Sequence, residues 1–374
     1  MKICIVTRSV IEGDGQGRAN YEIAREALRR GYPVTLVATD VAPDLQQDPR
    51  IDWVYIPVER YPTQLLSSLV FSRKSSDWLR EHGREFDIVQ AYGAVTSVGV
   101  DVNTVQFVHS AWMKSPSHIS RVRRDLYGVY QWLYTALNAY WEKRAFDRSR
   151  SIVAVSGKIK GDLLDIGVRS EKIRVILNGA DLDQFSPGER DRRALGLPPD
   201  VPLALFVGDI RTNRKNLDTV LRALVGVPDL HLAVGGSIAG SPYPALAERL
   251  GVSDRVHFLD FRRDVADLMK AADLFVFPSR YEACTLVLLE AMASGLPAIT
   301  AISAGGSEIV TPDCGVVLTD SEDVGALTRA MAELARDPER RERMGRRARE
   351  IAEQHSWTGK ARDYVDLFEE LAKC

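Results

Sequence analysis

Short apolar runs alternate with longer amphipathic segments along almost the whole chain. In the first half the runs read as strands near Lys2–Thr7, Val34–Ala38, Trp53–Val58, Ile88–Ala91, Val105–Val108, Ile152–Val155 and Arg174–Leu177. In the second half they fall near Leu203–Val207, Leu230–Val234, Val256–Leu259, Leu274–Phe277, Ala298–Thr300 and Gly315–Leu318. Segments between them, such as Arg18–Arg30, Leu217–Val225 and Ala245–Leu250, carry apolar residues at helical spacing. This strand–helix alternation predicts parallel sheets covered on both faces, the α/β class. The series stops at a polar stretch containing proline and glycine, Phe185–Pro202, and then restarts. Two Rossmann-like domains facing a central cleft are expected, 1–184 and 185–356, with ligands at the carboxyl ends of the strands. From Asp323 on, the pattern is helical; Pro338 opens a new helix and His355–Thr358 separates it from the last one.

The length of 374 residues supports the two-domain reading, because it exceeds what one core usually holds. A net charge of -2 gives no footprint for nucleic acid. Cys4, Cys284, Cys314 and Cys374 show no pairing or metal spacing, which suits a reducing cytoplasm. The start, MKICIVTRSV, reads as a strand and turns polar too soon for a signal peptide. No run approaches the length of a membrane span, so any membrane relation is expected to be peripheral.

The candidate chemistry centres on two glutamates, Glu282 and Glu290, within RYEACTLVLLEAMASGLPAI. Glu282 follows the strand Leu274–Phe277. Glu290 lies about a turn inside a helix with Thr285 as N-cap, Gly295 as C-cap and Pro297 as stop. Both are expected at one crevice, beside the positive end of that helix. Two carboxylates there repel phosphate but accept hydrogen bonds from sugar hydroxyls. The segment FVGDIRTNRKN supplies the opposite chemistry. Gly208 allows a tight turn, and Arg211, Arg214 and Lys215 cluster before a helix. Cations at a helix N-terminus oppose its dipole unless an anion binds, which favours a diphosphate site.

Other segments read less sharply. Gly13, Gly15 and Gly17 lie between the first strand and first helix, where backbone amides can approach a phosphate; a plain turn is the alternative. The spacing is not the dinucleotide fingerprint, which leaves Asp40 a weak imitation of a ribose-binding acid. His109 ends an apolar run, TVQFVHSAW, at a strand's carboxyl end. Gly305, Gly306 and Glu308 form either a sugar contact or a simple strand-to-helix turn. The histidines show no cluster spacing, so no metal site is expected. Tyr127, Tyr130, Trp132, Tyr134, Tyr140 and Trp141 interleave with Arg121, Arg123, Arg124, Lys143 and Arg144. That mixture fits either a core helix or a surface helix that docks on anionic lipid.

Together these pieces resemble the retaining glycosyltransferases of family 4, which have the GT-B fold. The resemblance runs nearly end to end. It rests on Glu282…Glu290 followed by AMASGLP, on ILNGADLDQF at Ile176–Phe185, on VAVS at Val153–Ser156, on the VG…RKN segment and on GGSEIV. It implies that Lys215 and Arg214 bind the donor diphosphate, that Glu290 holds the ribose and that Glu282 holds the transferred sugar. It further implies that the amides of Cys284, Thr285 and Leu286 touch the sugar or distal phosphate, that Gly15 and Gly17 approach that phosphate and that His109 lines the sugar pocket. The base is expected near Leu259, and the last helix, 357–374, is expected to cross back to the first domain. Three positions depart from the family pattern: Asp209 replaces a common arginine, with Arg211 as a substitute; Thr285 replaces a glycine; Asp14 replaces another.

The resemblance implies transfer of a hexose from a UDP- or GDP-sugar to a carbohydrate or lipid-linked acceptor, with retention and without a metal or other cofactor. Cell-surface polysaccharide or glycolipid synthesis, in the cytoplasm or at the inner face of the membrane, is the expected setting. A sugar-nucleotide epimerase on the same fold, or a non-catalytic nucleotide-sugar-binding partner, are the competing readings. The epimerase converts its donor with no acceptor present; the binding partner is stabilised by donor without transferring it.

Overall fold

The computed structural model describes residues 1–12 and 15–373; Gly13 and Asp14, together with Cys374, lie outside the described residues. The chain forms two compact units, one of Met1–Gly179 with the segment from Trp357 on, the other of Ala180–Ser356.

The sheet of the first unit contains β1 (Ile3–Val6), β2 (Val34–Ala38), β3 (Ile51–Tyr55), β4 (Ile88–Tyr92), β5 (Val102–Val105), β6 (Ser151–Ala154) and β7 (Ile173–Val175). They lie in the order β3-β2-β1-β4-β5-β6-β7, every pair parallel. The order reverses between β1 and β4, and such a switch point opens a crevice at the carboxyl ends of the strands. The second sheet contains β8 (Leu203–Val207), β9 (His231–Gly235), β10 (Val256–Phe258), β11 (Leu274–Phe277), β12 (Ala298–Ala301) and β13 (Gly315–Leu318). Its order is β10-β9-β8-β11-β12-β13, again parallel, with the switch between β8 and β11. β1 and β11 are buried throughout, which is why their sequences read as unbroken apolar runs.

The helices that matter for function are α1 (Gly15–Arg29), α2 (Gln64–His82), α3 (His109–Lys114), α4 (Ile119–Val122), α5 (Leu126–Arg148), α6 (Leu217–Val225), α7 (Leu286–Ala293), α8 (Val324–Arg336), α9 (Pro338–Glu353) and α10 (Trp357–Ala372). The last of these joins the first unit: Val365 and Phe368 share a core cluster with Ile23, Leu28 and Leu36. Arg30 also donates to Glu369 at 2.8 Å.

Two expectations shift. The strand read at Val105–Val108 is β5, Val102–Val105. Its polar Asn103 is satisfied inside the sheet by the backbone of Gly93, so apolarity alone placed the strand too late. Thr63 caps α2 by accepting from the Leu66 amide at 3.2 Å. The first unit ends at Gly179 rather than at 184, because Ala180 and Phe185 belong to the core of the second.

Candidate functional site

The candidate residues fall into two groups, one in each unit. In the second unit, β8 delivers Gly208 at its carboxyl end and the chain then reaches Arg214 and Lys215 just before α6. Asn216 adopts a left-handed backbone (φ 67°) and is fully buried. Its side chain donates to the carbonyls of Pro278 and Ser321 and accepts from Thr219, which ties this loop to the loop after β11. Arg280 closes the tie, bonding Asp218 and Glu322 as well as the Asn213 carbonyl. The result places Lys215 Nζ 2.6 Å and Arg214 Nη1 3.4 Å from the same oxygen, Oε1 of buried Glu282. Ser279 Oγ also donates to Oε1, at 3.4 Å. Among the described residues Oε2 receives nothing. Burial holds the Lys215 ammonium below its usual pKa, with Arg214 adding to the effect and Glu282 opposing it. The cations that oppose the dipole of α6 are thus partly compensated by Glu282 itself.

Glu290 sits on α7, as the spacing predicts, but makes no ion pair with that cluster. Its carboxyl finds no hydrogen-bond partner among the described residues. Burial, with the charge of Asp181 adding to it, pushes its pKa up to about 7. Thr285 occupies the N-cap without capping: its buried Oγ1 has no partner, and its amide already donates to the Gly305 carbonyl at 2.8 Å. The expectation that the Thr285 amide faces a ligand is therefore corrected. Cys284 precedes it, and the Leu286 amide remains at the open first turn. Gly305 and Gly306 are also committed, donating to the Glu282 carbonyl and to the Glu308 carboxylate. They brace the Glu282 loop.

A pocket of about 340 Å³ opens at the carboxyl ends of β8 and β9, lined by Gly208, Asp209, Arg211, Gly236, Phe261 and Arg262 among others. Gly208 and Gly236 pack so closely that a Cβ on Gly236 would lie 2.2 Å from the Gly208 carbonyl. Arg211 pairs with Asp209 at 2.9 Å, so the expected substitute arginine is neutralised by the departure beside it. Leu259 does not line the pocket; its amide donates to the Val234 carbonyl. The chain turns at Asp260 (φ 57°), and Phe261, 68% exposed, stands at the pocket instead. Sequence reasoning missed Gly236, Phe261 and Arg262, whose place follows only from the pairing of β9 with β8 and β10.

In the first unit His109 opens α3 instead of ending a strand. Its Nδ1 lies 3.0 Å from Oε2 of Glu142, which also accepts from the His109 amide at 2.8 Å. The other oxygen of Glu142 accepts from the amide and hydroxyl of Ser110. One buried carboxylate thus starts α3 and fixes the ring, leaving Nε2 as the nitrogen for a ligand. Glu142 was missed. Its signal is a stripe of polar residues on α5, Thr135, Asn138 and Glu142, that the fold buries. Gly15 and Gly17 lie in the first turn of α1, which begins at Gly15 rather than Arg18.

Two family models match the chain: "Glycosyltransferase Family 4" over residues 13–184 and "Glycosyl transferases group 1" over residues 188–351. A D-inositol 3-phosphate glycosyltransferase of Corynebacterium kroppenstedtii is 36% identical over 54% of this chain, and the match spans only 49% of that relative. The protein of the same name from Corynebacterium urealyticum is 28% identical, over 84% of this chain and 77% of that relative. Among solved structures, Anabaena HepE in complex with UDP and glucose superposes with a TM-score of 0.70 at 19% identity, covering 99% of this chain and all of that one. With both parallel-sheet units matched in order, the chain belongs to the group 1, family 4 glycosyltransferases of GT-B fold.

Proposed function

We propose that this glycosyltransferase takes a hexose from a UDP- or GDP-sugar and passes it to an acceptor hydroxyl with retention at the anomeric carbon. The observation that carries the reading is the convergence of Lys215 and Arg214 on a single oxygen of Glu282 beside the open first turn of α7. A diphosphate displaces neither cation: it gives them the anion that the N-terminus of α6 lacks. As the sugar–oxygen bond breaks, charge develops on the leaving phosphate, and these fixed cations stabilise it without a metal. The free Oε2 of Glu282 accepts from hydroxyls of the transferred sugar, Glu290 from the ribose, and Phe261 offers a face to the base. Attack on the same face, with the leaving oxygen taking the acceptor proton, needs no protein nucleophile. His109, carried over by resemblance, is proposed to contact the sugar through Nε2.

The acceptor is proposed to be a carbohydrate or a lipid-linked carbohydrate of cell-surface synthesis, the curated relatives' names pointing to a polyol phosphate as one form. Contact with anionic lipid belongs to this reading. Leu126 is 90% exposed, and Tyr127, Val129, Trp132 and Leu133 are also exposed on α5, next to Arg121, Arg123 and Arg124. No described helix is long and apolar enough to cross a membrane.

A thermal-shift and hydrolysis screen over nucleotide sugars tests the proposal. One UDP- or GDP-sugar is expected to stabilise the protein and to be hydrolysed slowly, both effects falling in Lys215→Ala. No stabilisation by any of them overturns it. Co-sedimentation with vesicles, with and without anionic lipid, tests the lipid contact.

A further inference from the structure

Within the first unit, a cavity of about 220 Å³ lies at the carboxyl ends of β1, β4 and β5. Arg8, Ser68, Gln106, His109, Asn138 and Glu142 are among the residues that line it. Three features set it apart from an ordinary surface dent. Arg8 makes no ion pair among the described residues; its one hydrogen bond is to Ser68 Oγ, at 3.4 Å. Its field reaches Glu59 and Tyr134, but Glu59 is engaged by the Tyr55 hydroxyl and the Val58 amide. The side-chain nitrogen of Gln106 is buried without a hydrogen-bond partner. And His109 is fixed by Glu142, so the same wall holds a ring nitrogen.

Each feature specifies part of a ligand. An unpaired guanidinium facing a concave polar site asks for a carboxylate or phosphate, which its planar fork binds through two parallel hydrogen bonds. A buried amide N–H without an acceptor is destabilising, and the loss is recovered when a hydroxyl oxygen enters. The volume, just below the usual range for small-molecule sites, admits about one ring rather than a chain of them. A single cation also makes this a poor second site for a diphosphate, which finds paired cations in the second unit.

We infer that this cavity is the acceptor pocket and that it selects a small polyol or sugar bearing an anionic group, with Arg8 binding the anion and Gln106 a hydroxyl. The inference rests on the glycosyl-transfer reading. It narrows the acceptor from carbohydrates in general to charged ones, and it names Arg8 as the residue that makes the choice.

The test compares matched charged and neutral acceptors, measuring nucleoside diphosphate release by the whole protein: inositol 3-phosphate against inositol, glucose 6-phosphate and glucuronate against glucose. A charged member is expected to be preferred at least tenfold in kcat/KM, and Arg8→Gln to bring that ratio close to one. The phosphate and carboxylate arms show which anion is read. A neutral preferred acceptor, no response to any charged one, or a ratio unchanged in Arg8→Gln overturns the inference. Calorimetry of inositol 3-phosphate and inositol with donor-free protein reads the pocket without any transfer. Tighter binding of the phosphate there, lost in Arg8→Gln, supports the pocket even if the donor screen fails; equal binding of both probes counts against it.

Discussion

Lys215 Nζ and Glu282 Oε1 lie 2.6 Å apart, and Arg214 shares the same oxygen at 3.4 Å. The proposed donor site is therefore held in shape by its own charges. Removing either partner leaves the other partly buried and under-paired, and such losses affect both binding and transition-state charge. Lys215→Ala and Glu282→Gln are each expected to lower kcat/KM by on the order of 10²-fold or more. Circular dichroism should show both folded. Near-normal turnover in both variants would sink the assignment.

Glu290 titrates in an accessible window. Its folded pKa of about 7 lies above its ordinary value of 4.5, so the folded state binds the extra proton between those limits. Stability from this group is full below pH 4.5 and is lost as pH rises toward 7. The loss cannot exceed roughly 3 kcal/mol, at about 1.4 kcal/mol per pKa unit. Glu290→Gln should flatten that part of the stability–pH curve. In the role proposed for Glu290, ribose hydroxyls donate to its ionised form, so donor affinity should rise through pH 7 in the wild type and lose that rise in the variant, as calorimetry across pH 5.5–8.5 can establish.

Gly236 has no room for a side chain. A Cβ there meets the Gly208 carbonyl at 2.2 Å and two carbons of Ile210 at 3.2 Å. Gly236→Ala must push the ends of β8 and β9 apart, at a cost of on the order of 2 kcal/mol. A lowered melting temperature together with weaker nucleotide binding is expected, because the same backbone lines the pocket.

Glu142 accepts four hydrogen bonds, two from His109 and two from Ser110. A glutamine keeps the shape but turns an NH₂ toward some of those donors. Glu142→Gln is expected to cost about 1–3 kcal/mol of stability and to lower transfer at least tenfold. If it acts through His109, the same change should cost much less transfer in a His109→Ala background. Full additivity would assign Glu142 a purely structural part.

The sheets were legible because buried parallel strands are apolar on both faces, and β8 and β11 match their predicted runs residue for residue. Lys215, Arg214 and Glu282 were legible as a cluster because each stands in local context near a helix start, and the structure brings both cations to one oxygen of Glu282. What failed to show was whatever depends on distance along the chain. Glu142 lies 33 residues from His109, on a helix that buries Thr135 and Asn138 while exposing Leu126 and Trp132. Such an inverted helix defeats the rule that apolar positions mark the inner face. Leu259 itself stays off the pocket for a smaller reason: the left-handed turn at Asp260 gives the neighbouring pocket position to Phe261.

The return of α10 to the first unit sets an order for synthesis. Residues 180–356 are complete before Val365 and Phe368 exist, yet those two residues close the core around Ile23 and Leu28. The second unit also has its ends pinned together, by the Ala180 amide on the His355 carbonyl at 2.9 Å. The N-terminal sheet, although made first, can therefore close its core around α10 only when the last-made helix has left the ribosome.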